Sequence, residues 1–195
     1  ASLFGLSMNI TTLLEMAADT FPDRIAVSCD GADLTFADLL AATRGAASLI
    51  RAAKVGHVVY LDVNSLSAPV AFFGAALAGV PYVPLNYRLT KAELGELLAR
   101  VTPALLVGGR DYVEGPPMPP GVSIMETATF LSAAHERSGE DGDAEIDPSA
   151  TAVQLFTSGT TGKPKAALLR HEHLAAYIVN TVEFGSAEEG DSALL

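Results

Sequence analysis

An α/β layered fold, built from βαβ units on a largely parallel sheet, is the architecture this sequence predicts. Short apolar runs of strand length alternate along the chain with longer segments of helical periodicity. The strand-like runs are continuously apolar rather than alternating with polar residues, as expected of strands covered on both faces. With 195 residues, 49% of them hydrophobic, the chain is long and apolar enough to bury a full-sized core.

The elements follow in order. Thr12-Leu13-Leu14-Glu15 has the form of a capping box and opens a short helix that ends before Pro22. Ile25 to Cys29 reads as a strand and Asp30-Gly31-Ala32-Asp33 as a turn. Thr35-Phe36-Ala37-Asp38 is a second cap, ahead of a helix that places Leu39, Leu40, Thr43, Ala46, Ala47 and Ile50 at helical spacing. His57 to Leu61 is the next strand. Val70 to Ala78 is a helix of small residues suited to close packing against a sheet. Val80 to Leu85 reads as a strand whose Pro81 and Pro84 place it at a sheet edge or a strand end. Thr90-Lys91-Ala92-Glu93 caps a helix that stops before Pro103, and Ala104 to Val107 returns to strand. The proline-rich run Gly115 to Pro120 interrupts the alternation. So does Glu136 to Ser149, with six acids against Arg137, which is expected to be an exposed, mobile linker within the domain.

Composition excludes several classes of function. The 12 Lys plus Arg against 23 Asp plus Glu leave a net charge of −11, too acidic for a protein that tracks a nucleic-acid backbone. The single cysteine, Cys29, rules out an internal disulfide framework and a cysteine zinc cluster; its place in an apolar strand suggests a core thiol. Residues 63–87 carry no charge over a length that could span a bilayer. Pro69, Pro81 and Pro84 interrupt that run, so a buried helix leading into a buried strand is expected instead of a membrane span. The first eight residues have no secretory-signal character, and a cytoplasmic location is the expectation. Asn9-Ile10-Thr11 fits a glycosylation sequon, though nothing in the sequence points to export.

The chemistry concentrates in Leu155-Phe156-Thr157-Ser158-Gly159-Thr160-Thr161-Gly162-Lys163-Pro164-Lys165. A strand, Thr151 to Phe156, runs into four hydroxyls, two glycines and two lysines. Glycines let backbone N–H groups approach an anion, hydroxyls donate to phosphate oxygens, and each lysine supplies a compact positive charge. Gly159 and Gly162 are too close together for a Walker A loop, and Pro164 follows Lys163 where that loop has Ser or Thr. Phe156 occupies the first glycine position of a nucleophile elbow, so Ser158 is not an esterase serine.

Thr157 to Lys165, with Leu168-Leu169-Arg170-His171 beyond it, closely resembles the signature loop of the adenylate-forming superfamily: acyl-CoA synthetases, acyl-AMP ligases, luciferases and the adenylation domains of nonribosomal peptide synthetases. Phe21 to Val27, Leu34 to Leu39, and Phe73 to Asn86 with Arg88-Leu89-Thr90 are similar to segments of the same family, so the resemblance covers nearly the whole chain. It implies an ATP-dependent, AMP-forming ligase. A carboxylic acid attacks Mg-ATP to give an acyl-adenylate and pyrophosphate, and coenzyme A then takes the acyl group. It further implies that Ser158, Gly159, Thr160, Thr161, Gly162, Lys163 and Lys165, with Pro164 in the same loop, bind the β- and γ-phosphates of ATP, and that Thr157 offers a hydroxyl to Mg2+. Ala166 stands where most members carry glycine and is expected to stiffen the C-terminal hinge of the loop.

The acyl pocket, the second magnesium ligand, the ribose-binding aspartate, the CoA site and the catalytic lysine of that family have no counterpart among these residues. The expectation is therefore that residues 1–195 form the N-terminal subdomain of an AMP-binding domain, without turnover by themselves. The substrate class implied is a fatty or other hydrophobic carboxylic acid. An amino-acid adenylation domain, a ligase that loads a carrier protein, and a non-catalytic nucleotide-binding module are the alternatives. The sequence leaves homo-oligomerisation open. Outside the loop, His171 is expected to make a helix-start hydrogen bond and Arg88 a surface ion pair; His171 and His173, two apart, are not expected to share a zinc, and His57 and His135 have no evident partner.

Overall fold

In the computed structural model, residues 8–114, 118–139, 145–157, 164–181 and 191 are described. The chain opens with helix α1 (Ile10–Thr20), which buries Ile10, Leu14 and Ala18 along one stripe. Its N-cap is Asn9, whose Oδ1 accepts from the Thr12 N–H at 3.1 Å and the Thr11 hydroxyl at 2.6 Å. The expected Thr12–Glu15 box is thus inside the helix, because Asn9 already satisfies the third N–H of its first turn. Strands β1 (Ile25–Cys29) and β2 (Ala32–Thr35) pair antiparallel through a turn made by Asp30 and Gly31, both at positive φ (51° and 78°). The turn is two residues long where four were expected, since Ala32 already faces Cys29 in the ladder. Cys29 is half-buried on this hairpin instead of lying in the core, and its thiol donates to the Asn64 carbonyl at 3.7 Å.

Thr35 closes a complete capping box with Asp38 at the head of helix α2 (Phe36–Ala53). After it come strand β3 (His57–Leu61), helix α3 (Ser67–Ala78), strand β4 (Tyr82–Pro84), helix α4 (Lys91–Ala99), strand β5 (Ala104–Gly108) and the single turn α5 (Arg110–Val113). Helix α3 starts three residues before the expected Val70. Pro69 falls in its first turn, where the missing N–H has no intrahelical acceptor to lose. Thr90 and Glu93 form the expected box on α4. Strand β6 (Val122–Glu126) and helix α6 (Thr127–Glu136) add a further unit that the sequence reading did not place. The chain then runs through strands β7 (Thr151–Thr157) and β8 (Lys165–Arg170) to helix α7 (His171–Thr181).

The main sheet has six strands in the order β6-β5-β3-β4-β7-β8, parallel throughout except for β8, which runs antiparallel to β7. Alternate side chains of the central strands enter two separate cores. Val58, Tyr60, Tyr82, Leu105 and Val107 face α1, α2, α3 and α6; Val59, Leu61, Val83 and Leu106 face α4 and Val113 of α5. The fold is therefore a three-layer α/β/α arrangement around a mostly parallel sheet. Strand β4 lies inside the sheet, not at its edge. Its prolines are tolerated because it is only three residues long: Pro81 precedes it and Pro84 ends it, while the neighbouring N–H of Leu85 donates to Tyr60. In the acidic stretch, Ile146 is buried against Ala47 and Leu77, and the Asp147 carboxylate accepts from the Ser149 N–H and hydroxyl, both at 2.8 Å. Among the described residues, no helix is long and apolar enough to cross a membrane.

The small residues of α3 serve helix–helix contact as much as contact with the sheet. A Cβ on Gly74 would lie 2.6 Å from the Cβ of Ala46 on α2, and a Cβ on Gly45 of α2 would collide with the Ala134 carbonyl oxygen of α6. Glycine inside a helix costs about 1 kcal/mol relative to alanine, so only this close approach explains Gly45. Gly45→Ala is expected to lower unfolding free energy by about 2–3 kcal/mol despite its better helix propensity. Urea denaturation reads this, and a stabilised variant would refute the α2–α6 contact.

The pH dependence of stability follows from two imidazoles. Burial pushes His57 and His171 below their ordinary 6.5, opposed at His57 by a backbone hydrogen bond with Val101 and at His171 by the charge of Asp147. Each folded imidazole therefore stays neutral at a pH where its unfolded counterpart takes up a proton. The unfolded chain then binds more protons than the folded one, and unfolding free energy is expected to fall as pH drops from about 7 to about 5. Denaturant titrations across that range check it; a flat or rising profile would contradict the burial of both rings.

Candidate functional site

The candidate site is built on β7, whose sequence Thr-Ala-Val-Gln-Leu-Phe-Thr combines β-branched and aromatic residues into a strand between β4 and β8. Ala152 and Val153 are buried, and Tyr82 of β4 faces Val153, so the strand is anchored in the sheet at its N-terminal half. Its C-terminal end is free to carry a loop, as the carboxyl ends of strands do in open α/β sheets. On the other side, β8 returns antiparallel, with Phe156 facing Ala166 and Thr157 facing Lys165.

Three of the expected phosphate-binding residues are thereby placed. Thr157 is the last residue of β7, Lys165 the first of β8, and Pro164 the residue just before it. The hydroxyl of Thr157 donates to the Lys165 carbonyl across the ladder at 3.4 Å, the long limit of a hydrogen bond. Both side chains are exposed at the mouth of the connection. Ser158, Gly159, Thr160, Thr161, Gly162 and Lys163 lie outside the described residues. Lys165, expected inside the loop, is a strand residue that fixes its exit. Ala166 sits on the paired strand opposite Phe156. The groups at the mouth are a hydroxyl and an ammonium, a donor set that fits an anionic ligand.

A residue the sequence reading passed over joins these parts. Arg100 caps the C-terminus of α4, its N–H directed to Leu97 and Leu98. Its guanidinium lies 4.8 Å from the centroid of the Phe156 ring, and its Nη1 donates to the Pro164 carbonyl at 2.7 Å. No local signal marks it, because Pro164 is 64 residues away in sequence.

The other singled-out residues sit apart from this mouth. His171 opens α7 and is almost fully buried. The hydrogen bond it makes there is from its backbone N–H to the Ala150 carbonyl, whereas its Nδ1 has no partner among the described residues. Glu172 pairs with Arg170 at 3.6 Å and approaches His173 at 3.8 Å. Arg88, expected in an ion pair, lies over the Tyr87 ring at 5.6 Å. At the far end of β3, Asp62 accepts from the Thr127 hydroxyl at 3.0 Å, tying the start of α6 to the middle of the sheet.

Comparison with known proteins agrees with this architecture. The chain is 30% identical to indoleacetate–CoA ligase of Aromatoleum aromaticum, over 96% of this chain and 40% of that protein. It is 32% identical to the fatty acid–[acyl-carrier-protein] ligase ScoC of Streptomyces coeruleorubidus, over 80% of this chain and 31% of that protein. The chain thus spans well under half the length of these relatives. The solved structure of VinN with 3-methylaspartate shares the fold, with a TM-score of 0.77 at 21% identity over 90% of this chain and 51% of VinN. Residues 14–195 match the AMP-binding enzyme family, and the chain belongs to that family of adenylate-forming ligases.

Proposed function

We propose that this chain carries the polyphosphate-binding part of an AMP-forming acid–thiol ligase. The observation behind this reading is the paired mouth formed by Thr157 and Lys165 at the carboxyl end of β7, flanking a Ser-Gly-Thr-Thr-Gly-Lys sequence. The ligase reacts in two steps. A carboxylate oxygen attacks the α-phosphorus of ATP, the bond to the β-phosphate oxygen breaks, and pyrophosphate leaves. A thiol then attacks the acyl-adenylate carbonyl, loses its proton, and displaces AMP. Residues of this chain contribute to the first step. Ser158 to Lys163, with Pro164 and Lys165, would hold the β- and γ-phosphates and offset the charge that accumulates on the leaving pyrophosphate. Thr157 would offer its hydroxyl to Mg2+, which supplies charge neutralisation between the phosphates. Strand pairing already holds Thr157 and Lys165 opposite each other, which supports a mouth formed before the nucleotide arrives.

The acid is proposed to be hydrophobic and the acceptor to be coenzyme A, supported by the relation to indoleacetate–CoA ligase. Loading of a carrier protein is the second reading, favoured by the relation to ScoC. In both, residues 1–195 form the N-terminal subdomain of the AMP-binding domain, and 136–149 its acidic connection. In the intact protein that contains this chain, Lys163→Ala is expected to slow acid-dependent exchange of labelled pyrophosphate into ATP by on the order of a hundredfold. Its thermal unfolding should stay close to the parent's if the lysine serves the ligand rather than the fold. Undiminished exchange in a folded variant would overturn the phosphate assignment. Parallel assays with coenzyme A and with a phosphopantetheinylated carrier protein distinguish the two acceptors.

A further inference from the structure

We propose that Arg100 is a positioning residue for nucleotide binding, acting as a clamp that holds both limbs of the β7–β8 connection against α4. The inference rests on the phosphate-binding reading of that connection. Its geometry is independent of that reading: one guanidinium touches the residue before Thr157 and the residue before Lys165. On the entry limb, the Phe156 ring offers its face to the Arg100 cation at 4.8 Å and packs toward the core beneath α4. On the exit limb, Nη1 donates a 2.7 Å charge-assisted hydrogen bond to the Pro164 carbonyl.

Arginine is the residue type that can make both contacts at once. The guanidinium is planar, so its face can stack on a ring while its edge donates in plane to an oxygen. A lysine ammonium in the same place would keep the charge but could not combine a stacked face with a directed in-plane donor. Position in the fold adds to this. Arg100 is the C-cap of α4, where a positive charge interacts favourably with the helix dipole, and α4 is anchored by the buried Leu94, Leu97 and Leu98. The clamp therefore refers the mouth of the connection to the hydrophobic core, across a sequence gap that local structure cannot bridge. Its consequence is that Thr157 and Lys165 keep a fixed separation and tilt relative to the sheet.

The test uses the intact protein containing this chain, with Arg100→Ala, Arg100→Lys and Lys163→Ala compared with the parent. Arg100→Ala is expected to raise KM for MgATP about three- to tenfold, with KM for the acid unchanged and the melting temperature lowered by no more than a few degrees. Amide hydrogen exchange in peptides spanning residues 156–166 should accelerate while the rest of the sheet keeps its protection. Arg100→Lys should restore neither property. Three results would each overturn the clamp: an unchanged KM for MgATP in folded Arg100→Ala, unchanged exchange over 156–166, or full recovery by lysine. An effect spread over both substrates, with a larger fall in melting temperature, would assign Arg100 to general stability and also overturn it. Lys163→Ala separates the two levels. If it leaves adenylation intact, the phosphate reading fails; if it weakens adenylation while Arg100→Ala does not, the clamp alone fails.

Discussion

The two-sided burial of β3 constrains everything else in this fold. Val58 and Tyr60 enter one core and Val59 and Leu61 the other, so no face of the strand is left for solvent. A slip of one residue would send each side chain into the opposite core, which makes the register of the central sheet unusually determined. Covering both faces then dictates where the helices go. Helices α3 and α6, which precede β4 and β7, lie on one face; α4 and α5, which precede β5 and β6, lie on the other. Each parallel connection keeps the common crossover hand only with this arrangement, since moving in opposite directions along the sheet requires crossing opposite faces. The carboxyl end of β7 is brought beside α4 by the same logic, because β4 leads into α4 and pairs with β7.

The features legible in the sequence are the ones whose causes are local. The capping boxes at Thr35 and Thr90 are each contained in four consecutive residues, and both form as read. Strands β3 and β5 were found within a residue or so of their observed ends, since continuous apolar runs bounded by Gly, Pro or polar residues leave little alternative; β7 was found as closely, although Gln154 interrupts its apolar run. Elsewhere the local signal was misleading or incomplete. The reading placed the cap of α1 at Thr12, whereas Asn9 caps the helix earlier by accepting from the Thr12 N–H. Prolines at 81 and 84 allow either an edge or a strand end, and only pairing with both β3 and β7 selects the strand end. Strand β8 was missed because Lys165 to Arg170 is exposed along most of its length, so burial leaves little pattern in it; its partner β7 defines it. Gly45 looks like a defect in α2 until the Ala134 carbonyl is seen against it.

The candidate site divides along the same line. The chemistry proposed to meet the ligand is a contiguous run of hydroxyl, glycine and lysine residues, and contiguous runs can be read without a fold. The structure that holds the run is not contiguous. Thr157 and Lys165 face each other only because β8 folds back, and Arg100 reaches Pro164 across 64 residues. Sequence reasoning therefore finds the groups that would meet a phosphate and overlooks those that hold them in place. A supporting residue carries no motif of its own. It is chosen by the shape of a gap that exists only once the layers have packed.

Charge explains why that support matters in this chain more than in a neutral one. A protein of net charge −11 repels a polyphosphate at long range, so affinity must come from short-range donors held in the right geometry. Additional lysines in the loop would raise the local potential, but each is a mobile point charge that must be ordered when the ligand binds. A cation placed behind the loop acts differently. Arg100 is held by an aromatic face and a carbonyl before any ligand is present, so its ordering is completed during folding. On the proposed reading it would add positive charge to the strand ends without competing with them for phosphate oxygens. Where donors are few and the surrounding field is unfavourable, rigidity supplied by the fold is the remaining means of strengthening recognition. In this chain the contacts of Arg100, where α4 meets β7, are the ones proposed to supply it.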